Sequence, residues 1–150
     1  MDKLAITVPS FLMLLAACSG DNAQISTQIV EQLEAKPTAP INLAIVGPSS
    51  WERVCVLGPY TNNEHVEKVL GFKWDAEAKT SIAGNDGVNV LVFIQDKKVI
   101  AYTEHPRNKG DFSKMSPRCL DREEATLMRQ ADGEGWVYLV TKEQGQNHLF

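Results

Sequence analysis

Most residue patterns that announce a chemistry are missing from this chain. His65, His105 and His148 stand far apart, and none falls in H-E-x-x-H or another ligand spacing, so no zinc site is expected. G-x-S-x-G, P-loop and dinucleotide fingerprints do not occur, which removes the sequence signatures of those enzyme classes. Asn85-Asp86-Gly87 lacks the acidic ladder of a calcium loop and reads as a turn. Charge of one sign is also scarce. Fifteen Lys and Arg against nineteen Asp and Glu leave a net charge of −4, which provides no footprint for nucleic acid. Beyond position 18 no apolar run approaches the ~18 to 20 residues of a membrane span. Only three cysteines are present and no Cys-x-x-Cys, so a redox-active pair is not expected. What remains is ordinary: 150 residues, 43% hydrophobic and 23% charged, enough for one domain with its own core.

The most informative stretch is the apolar run over residues 4–17 behind Met1-Asp2-Lys3, ending in Leu15-Ala16-Ala17-Cys18. It is short for a span, suits the apolar region of a secretory signal, and has no polar face for a buried helix. Small residues before a cysteine at the end of such a run resemble the lipobox of bacterial lipoproteins. That resemblance covers the first eighteen residues. It implies a signal peptide over residues 1–17 and diacylglycerol in thioether linkage on Cys18, which becomes the new N-terminus. Several acyl chains hold a protein on a membrane stably, where one chain is marginal. Ser19 is similar to the residue following the cysteine in lipoproteins sorted to the outer membrane. The implied address is the outer membrane facing the periplasm in a Gram-negative host, and otherwise the outer face of the plasma membrane.

Residues 18–40 read as a lipidated tether. Ile25, Ile29 and Leu33 recur at i, i+4 and i+8, so a short amphipathic helix over residues 23–35 is plausible within it. Three apolar residues bury little surface, which favours a marginal helix in a spacer over a docking helix. Pro37 and Pro40 then stiffen the entry into a folded domain over residues 41–150.

In that domain residues 41–46 suggest a short strand, and residues 51–57 a strand stopped by Gly58-Pro59. Thr61 and Glu64 have capping-box spacing before Val66, Val69 and Leu70, predicting a helix over residues 62–70 that ends at Gly71. Phe72-Lys73-Trp74 suggests another short strand, and Gly84-Asn85-Asp86-Gly87 a hairpin turn. Residues 88–94, VNVLVFI, form the expected central strand, paired antiparallel with residues 98–103 through Asp96-Lys97. Residues 124–130 and 136–141 read as a second hairpin, with a helix over residues 121–129 as the alternative. The expected class is α+β: an antiparallel sheet of about five strands with one helix on a face, in the order β-α-β-β-β-β. The passage from Trp51 through Val54, Val56 and Pro59-Tyr60-Thr61 to Leu70-Gly71-Phe72 also resembles small exported bacterial proteins. That resemblance implies a shared fold and no activity.

With Cys18 lipidated, Cys55 and Cys119 are left, and in an oxidising exterior two leftover cysteines most often pair; two buried thiols that never meet are the alternative. The densest polar group is Tyr102, Glu104, His105, Arg107, Lys109 and Asp111, a candidate binding loop on a rigid hairpin. Glu104 and His105 could supply acid–base chemistry only if the loop folds back, because neighbours in a strand face opposite ways. No catalytic residue, metal or cofactor is therefore assigned. The expectation is a non-enzymatic, membrane-anchored envelope lipoprotein that binds a protein partner as an accessory, inhibitor or immunity-type domain. A small-ligand-binding lipoprotein using the 104–111 loop is the alternative, and a hydrolytic enzyme a third.

Overall fold

The computed structural model describes residues 20–147; the expected signal peptide and Cys18 lie outside the described residues. The class is α+β, but with two antiparallel sheets rather than one and four helices rather than one. Along the chain come α1 (Ala23–Ala35), β1 (Ile41–Asn42), β2 (Arg53–Leu57), α2 (Asn63–Leu70), α3 (Ala76–Lys79), β3 (Val88–Gln95), β4 (Lys98–Pro106), β5 (Cys119–Asp121), β6 (Thr126–Ala131), β7 (Val137–Thr141) and α4 (Lys142–Gln146).

The larger sheet has the order β4-β3-β2-β5 and is buried on both faces. Alternation along β2 sends Val54 and Val56 one way and Cys55 and Leu57 the other; along β3, Leu91 and Phe93 oppose Val90, Val92 and Ile94. This two-sided burial is why VNVLVFI reads as a continuous apolar run. The first face packs on α1 and on a second sheet of order β1-β6-β7, with Trp51 and Phe93 meeting edge to face at 5.4 Å. The second face packs on Val66 and Leu70 of α2, Ala76 of α3, and Ile82. Helices α1 and α2 thus lie on opposite faces of the larger sheet.

Several local expectations hold. The helix over residues 62–70 is α2, although Asn62 rather than Thr61 caps it, accepting from His65 N, and Gly71 ends it at φ +82°. Asp96-Lys97 joins β3 to β4 with both residues at positive φ, 50° and 57°, as a tight right-twisting hairpin demands. The hairpin near the C-terminus is β6–β7, not a helix.

Others are corrected. The tether is not a spacer over residues 23–35: Ile25 and Ile29 are fully buried, so the packed domain begins with α1 and not at Ile41. Asn22 caps α1 through its side chain, and Arg129 of β6 caps the other end, donating to the carbonyls of Gln32, Leu33, Lys36 and Ala39. One guanidinium thereby satisfies the carbonyls that a helix end leaves without partners. Residues 41–46 are a two-residue strand followed by a 3-10 turn, Leu43–Ile45, because Ile41 pairs with Leu127 and the chain then turns inward on Leu43. Phe72-Lys73-Trp74 is not a strand: Asp75 caps α3 directly after it. Gly84 to Gly87 is a turn without a hairpin, since β3 pairs with β2 and β4 and the element directly before that turn is α3, not a strand.

Cys55 and Cys119 form a disulfide between facing positions of β2 and β5, with 4.0 Å between their Cα atoms. It ties the three-residue edge strand β5 to the sheet.

Candidate functional site

The six candidate residues on and after β4 were expected to share a loop. Instead β4 runs on through Pro106, and the strand divides them between two faces. Tyr102 is buried on the α2 face, edge to face with Trp74 at 5.1 Å. Glu104 stays at the surface on that side and accepts from the backbone N–H and the hydroxyl of Ser81, the latter at 3.0 Å. His105 turns the other way and has no exposed surface. Glu104 and His105 are therefore not brought together, as strand alternation requires.

His105 sits where α1, β4 and the 3-10 turn Arg107–Lys109 meet. Its Nε2 lies 3.1 Å from the Lys109 carbonyl oxygen, and its Nδ1 lies 2.8 Å from Ser26 Oγ on α1. A carbonyl only accepts, so Nε2 carries the proton and Nδ1 accepts from the Ser26 hydroxyl. Phe112 packs edge to face on the ring at 5.4 Å. Burial pushes the imidazole pKa down to about 4, against smaller upward pulls from the backbone at Lys109 and Gly110 and from Asp111. The pair has the connectivity of a nucleophile and its base. A base this weak takes a proton poorly near neutral pH, and the His105 ring has no exposed surface to meet a substrate. The bond fastens α1 to the larger sheet.

A titration tests this assignment. In the folded protein His105 binds its proton only near pH 4, whereas the unfolded chain binds it near 6.5. Between those values the unfolded state holds more protons, so stability is complete above about pH 6.5 and falls as the pH drops toward 4. The expected loss is about 3 kcal/mol once the ring is forced to charge. Urea denaturation across this window should show that slope in the wild type and a flatter one in His105→Gln. Equal slopes would mean that the ring titrates normally.

Asp111 is the centre of a second knot. Its carboxylate has no exposed surface; Oδ2 accepts from Arg107 Nε at 3.1 Å, Arg107 Nη2 at 2.9 Å and Trp136 Nε1 at 3.0 Å. Oδ1 accepts from Ser113 N at 2.8 Å. Burial alone would push its pKa up, but Arg107, Ser113 and Trp136 outweigh it and hold the carboxyl below the usual range. The Asp111 backbone also joins β7, donating to the Val137 carbonyl and accepting from Leu139 N. Gly110, at φ +116°, passes so close that a Cβ would stand 3.0 Å from Leu33 Cδ1 and 3.1 Å from Leu139 Cδ1.

Sequence reading did not find Ser26, Asn89 or Trp136 as members of this cluster. Asn89 carried a signal, being the one polar residue inside VNVLVFI; it is fully buried and its Oδ1 accepts from Phe112 N. Its Nδ2 has no partner among the described residues.

Of the candidate loop, Lys109 remains exposed and Arg107 partly so. Beside them Val30, Leu33, Gly110, Arg129 and Val137 line a shallow groove of about 210 Å³, below the roughly 300 Å³ at which small-molecule sites begin. Two larger open grooves of about 410 Å³ each flank α2. One is lined by Glu64, Glu67, Trp74 and Asp75. The other holds Tyr60, which is 63% exposed and sits at φ +60°. Among the described residues no group of three His, Cys, Asp or Glu could hold a metal, and no helix is long and apolar enough to cross a membrane.

Fold and site define an α+β two-sheet domain with a cross-strand disulfide and a buried polar cluster that locks α1 and the loop after β4. Compared with protein-family models, curated proteins and solved structures, the chain matches none.

Proposed function

We propose that the chain is an exported lipoprotein, anchored through acyl chains on Cys18, whose domain binds a protein partner at the bacterial envelope. The observation that carries this reading is the Cys55–Cys119 disulfide, because such bonds persist in the oxidising exterior and are rare in a reducing cytosol. The lipobox-like Leu15-Ala16-Ala17-Cys18 supplies the anchor. Binding is favoured over catalysis because the polar side chains that could do chemistry are engaged by the fold's own groups: His105 with Ser26 and Lys109 and Asp111 with Arg107 and Trp136 in the interior, and Glu104 with Ser81 at the surface.

The partner-facing element is assigned to the α2 side. Tyr60 holds a left-handed backbone that is costly for an aromatic residue, and it leaves its ring in solvent. Large aromatic residues of this kind anchor protein interfaces. A role as accessory, inhibitor or immunity-type protein is consistent with one small domain offering such an anchor.

One expression experiment tests both halves. The wild type should be shortened, gain the mass of its acyl chains and fractionate with membranes, and Cys18→Ser should lose all three properties. A wild type that keeps its first seventeen residues, with no added mass, overturns the lipoprotein reading. From the acylated protein, crosslinking in intact envelopes should retain a protein that Tyr60→Ala loses. Equal retention by both moves the partner surface elsewhere.

A further inference from the structure

The chain is held to the fold close behind Cys18, from Asp21 onward. Asp21 forms a parallel bridge with Tyr102 on the outer edge of β4, and Asn22 N donates to the Tyr102 carbonyl at 2.8 Å. Asn22 then caps α1, whose Ile25 is buried in the main cluster. Cys18 therefore stands three residues from a backbone held to the larger sheet. At the limit of about 3.6 Å per residue, those three residues reach no more than about 11 Å. The headgroup layer of one leaflet is roughly 5 to 8 Å deep. A thioether-linked diacylglycerol places the Cys18 sulfur at the inner side of that layer, so crossing it uses most of the reach.

Resting on the lipoprotein reading above, we infer that the domain has no working tether and lies directly on the phospholipid headgroups, through the face that joins the start of α1 to the β4 edge. The occupant of this face is the bilayer to which Cys18 itself is anchored. Its chemistry suits a zwitterionic, hydrogen-bonding surface. Asn22, Gln24, Gln28 and Pro48 line a shallow depression there with no charged side chain in its lining. Gln28 holds the neighbouring loop by accepting from Gly47 N. Two residues before Gly47, Ile45 is 68% exposed and is the most exposed large apolar side chain among the described residues. Lys97 and Lys98 close the near end of β4, about 13 Å along the strand from Tyr102. Asp96 and Glu52, whose Oε2 accepts from Asp96 N, balance the two lysines there. The more acidic groove, with Glu64, Glu67 and Asp75, belongs to α2 on the other face of the sheet. Tyr60 accordingly stays accessible while the α1 face rests on lipid.

The test is hydrogen–deuterium exchange of the full, acylated protein on vesicles of phosphatidylethanolamine and phosphatidylglycerol, compared with the non-acylated Cys18→Ser protein in solution. Backbone amides of residues 44–47 and 98–100 should exchange several-fold more slowly on the vesicle. A flexible Gly/Ser insertion of about twelve residues between Ser19 and Gly20, spanning roughly 20 Å, should remove that protection while leaving the acyl mass and membrane binding unchanged. An acylated, vesicle-bound wild type with no slowing at these positions overturns the flush docking and leaves the anchor intact. Protection that survives the insertion also overturns it, because the short reach would not be its cause. A wild type without acyl mass removes the anchor, and the docking with it.

Discussion

Reducing the Cys55–Cys119 bond should lower the stability of the folded domain by about 4 kcal/mol. The loop it closes spans 64 positions, and in the chain-entropy account a longer closed loop restricts the unfolded chain more. That loss approaches the whole stability of many small domains. The placement makes the effect local as well as global. Strand β5 has three residues and pairs with β2 at Arg53, Val54 and Cys55, so without the bond the sheet edge is held by that short ladder and by Leu120. Guanidinium denaturation of the oxidised and dithiothreitol-reduced protein is the direct comparison. Cys55→Ala/Cys119→Ala should reproduce the reduced value and add little to it. A reduced protein with an unchanged midpoint would show that the bond does not restrain the unfolded chain.

Asp111→Ala should be the most damaging single polar substitution, costing about 3 kcal/mol. Removing the carboxylate leaves Arg107 without its ion pair and leaves Trp136 Nε1 and Ser113 N without an acceptor. Breaking a buried pair costs more than the pair contributes, because the remaining charge stays desolvated. Arg107 keeps about a quarter of its side chain in solvent, 26%, which holds the cost near the lower end of the roughly 3 to 5 kcal/mol of a fully buried pair. The expected fall in melting temperature is roughly 10 to 15 °C. Asp111→Asn, which still offers an oxygen to Trp136, should lose less. Thermal unfolding followed by Trp fluorescence measures both; equal losses for the two variants would assign the whole effect to the charge, and an Asp111→Asn protein as stable as the wild type would remove charge from the explanation.

Legibility followed the range of the interactions. Helix α2 was readable because its cap, its apolar stripe at Val66 and Leu70 and its terminating Gly71 lie within ten residues. The β3–β4 hairpin was readable because an apolar run, a two-residue turn and a second run are contiguous. The two sheets were not. Ile41 pairs with Leu127, and no local periodicity reports a partner so far along the chain. The same distance hid the role of α1. Three apolar residues look too few to hold a helix, until Ile25 and Ile29 meet Trp51, Phe93 and Leu139 in one cluster and Arg129 closes the helix end.

The candidate loop shows the same division. Its six residues were expected to share one loop, but β4 runs on through Pro106 and divides them between two faces, with Glu104 turned away from His105 as alternation requires. Whether those groups face a ligand or each other depends on contacts from α1, β7 and the 81–87 turn, so Ser26, Trp136 and Ser81 decided it.

By itself, then, the sequence determined the α+β class, contiguous elements such as α2 and the β3–β4 hairpin, and Cys55 with Cys119 as the expected pair, since each rests on residue identity or on neighbours in the chain. Only the tertiary structure decided that there are two sheets, that α1 belongs to the core, and that the polar cluster is turned inward. Those outcomes are set by burial between distant segments, where the free energy of excluding Ile25, His105 and Asp111 from water depends on partners that no local window contains.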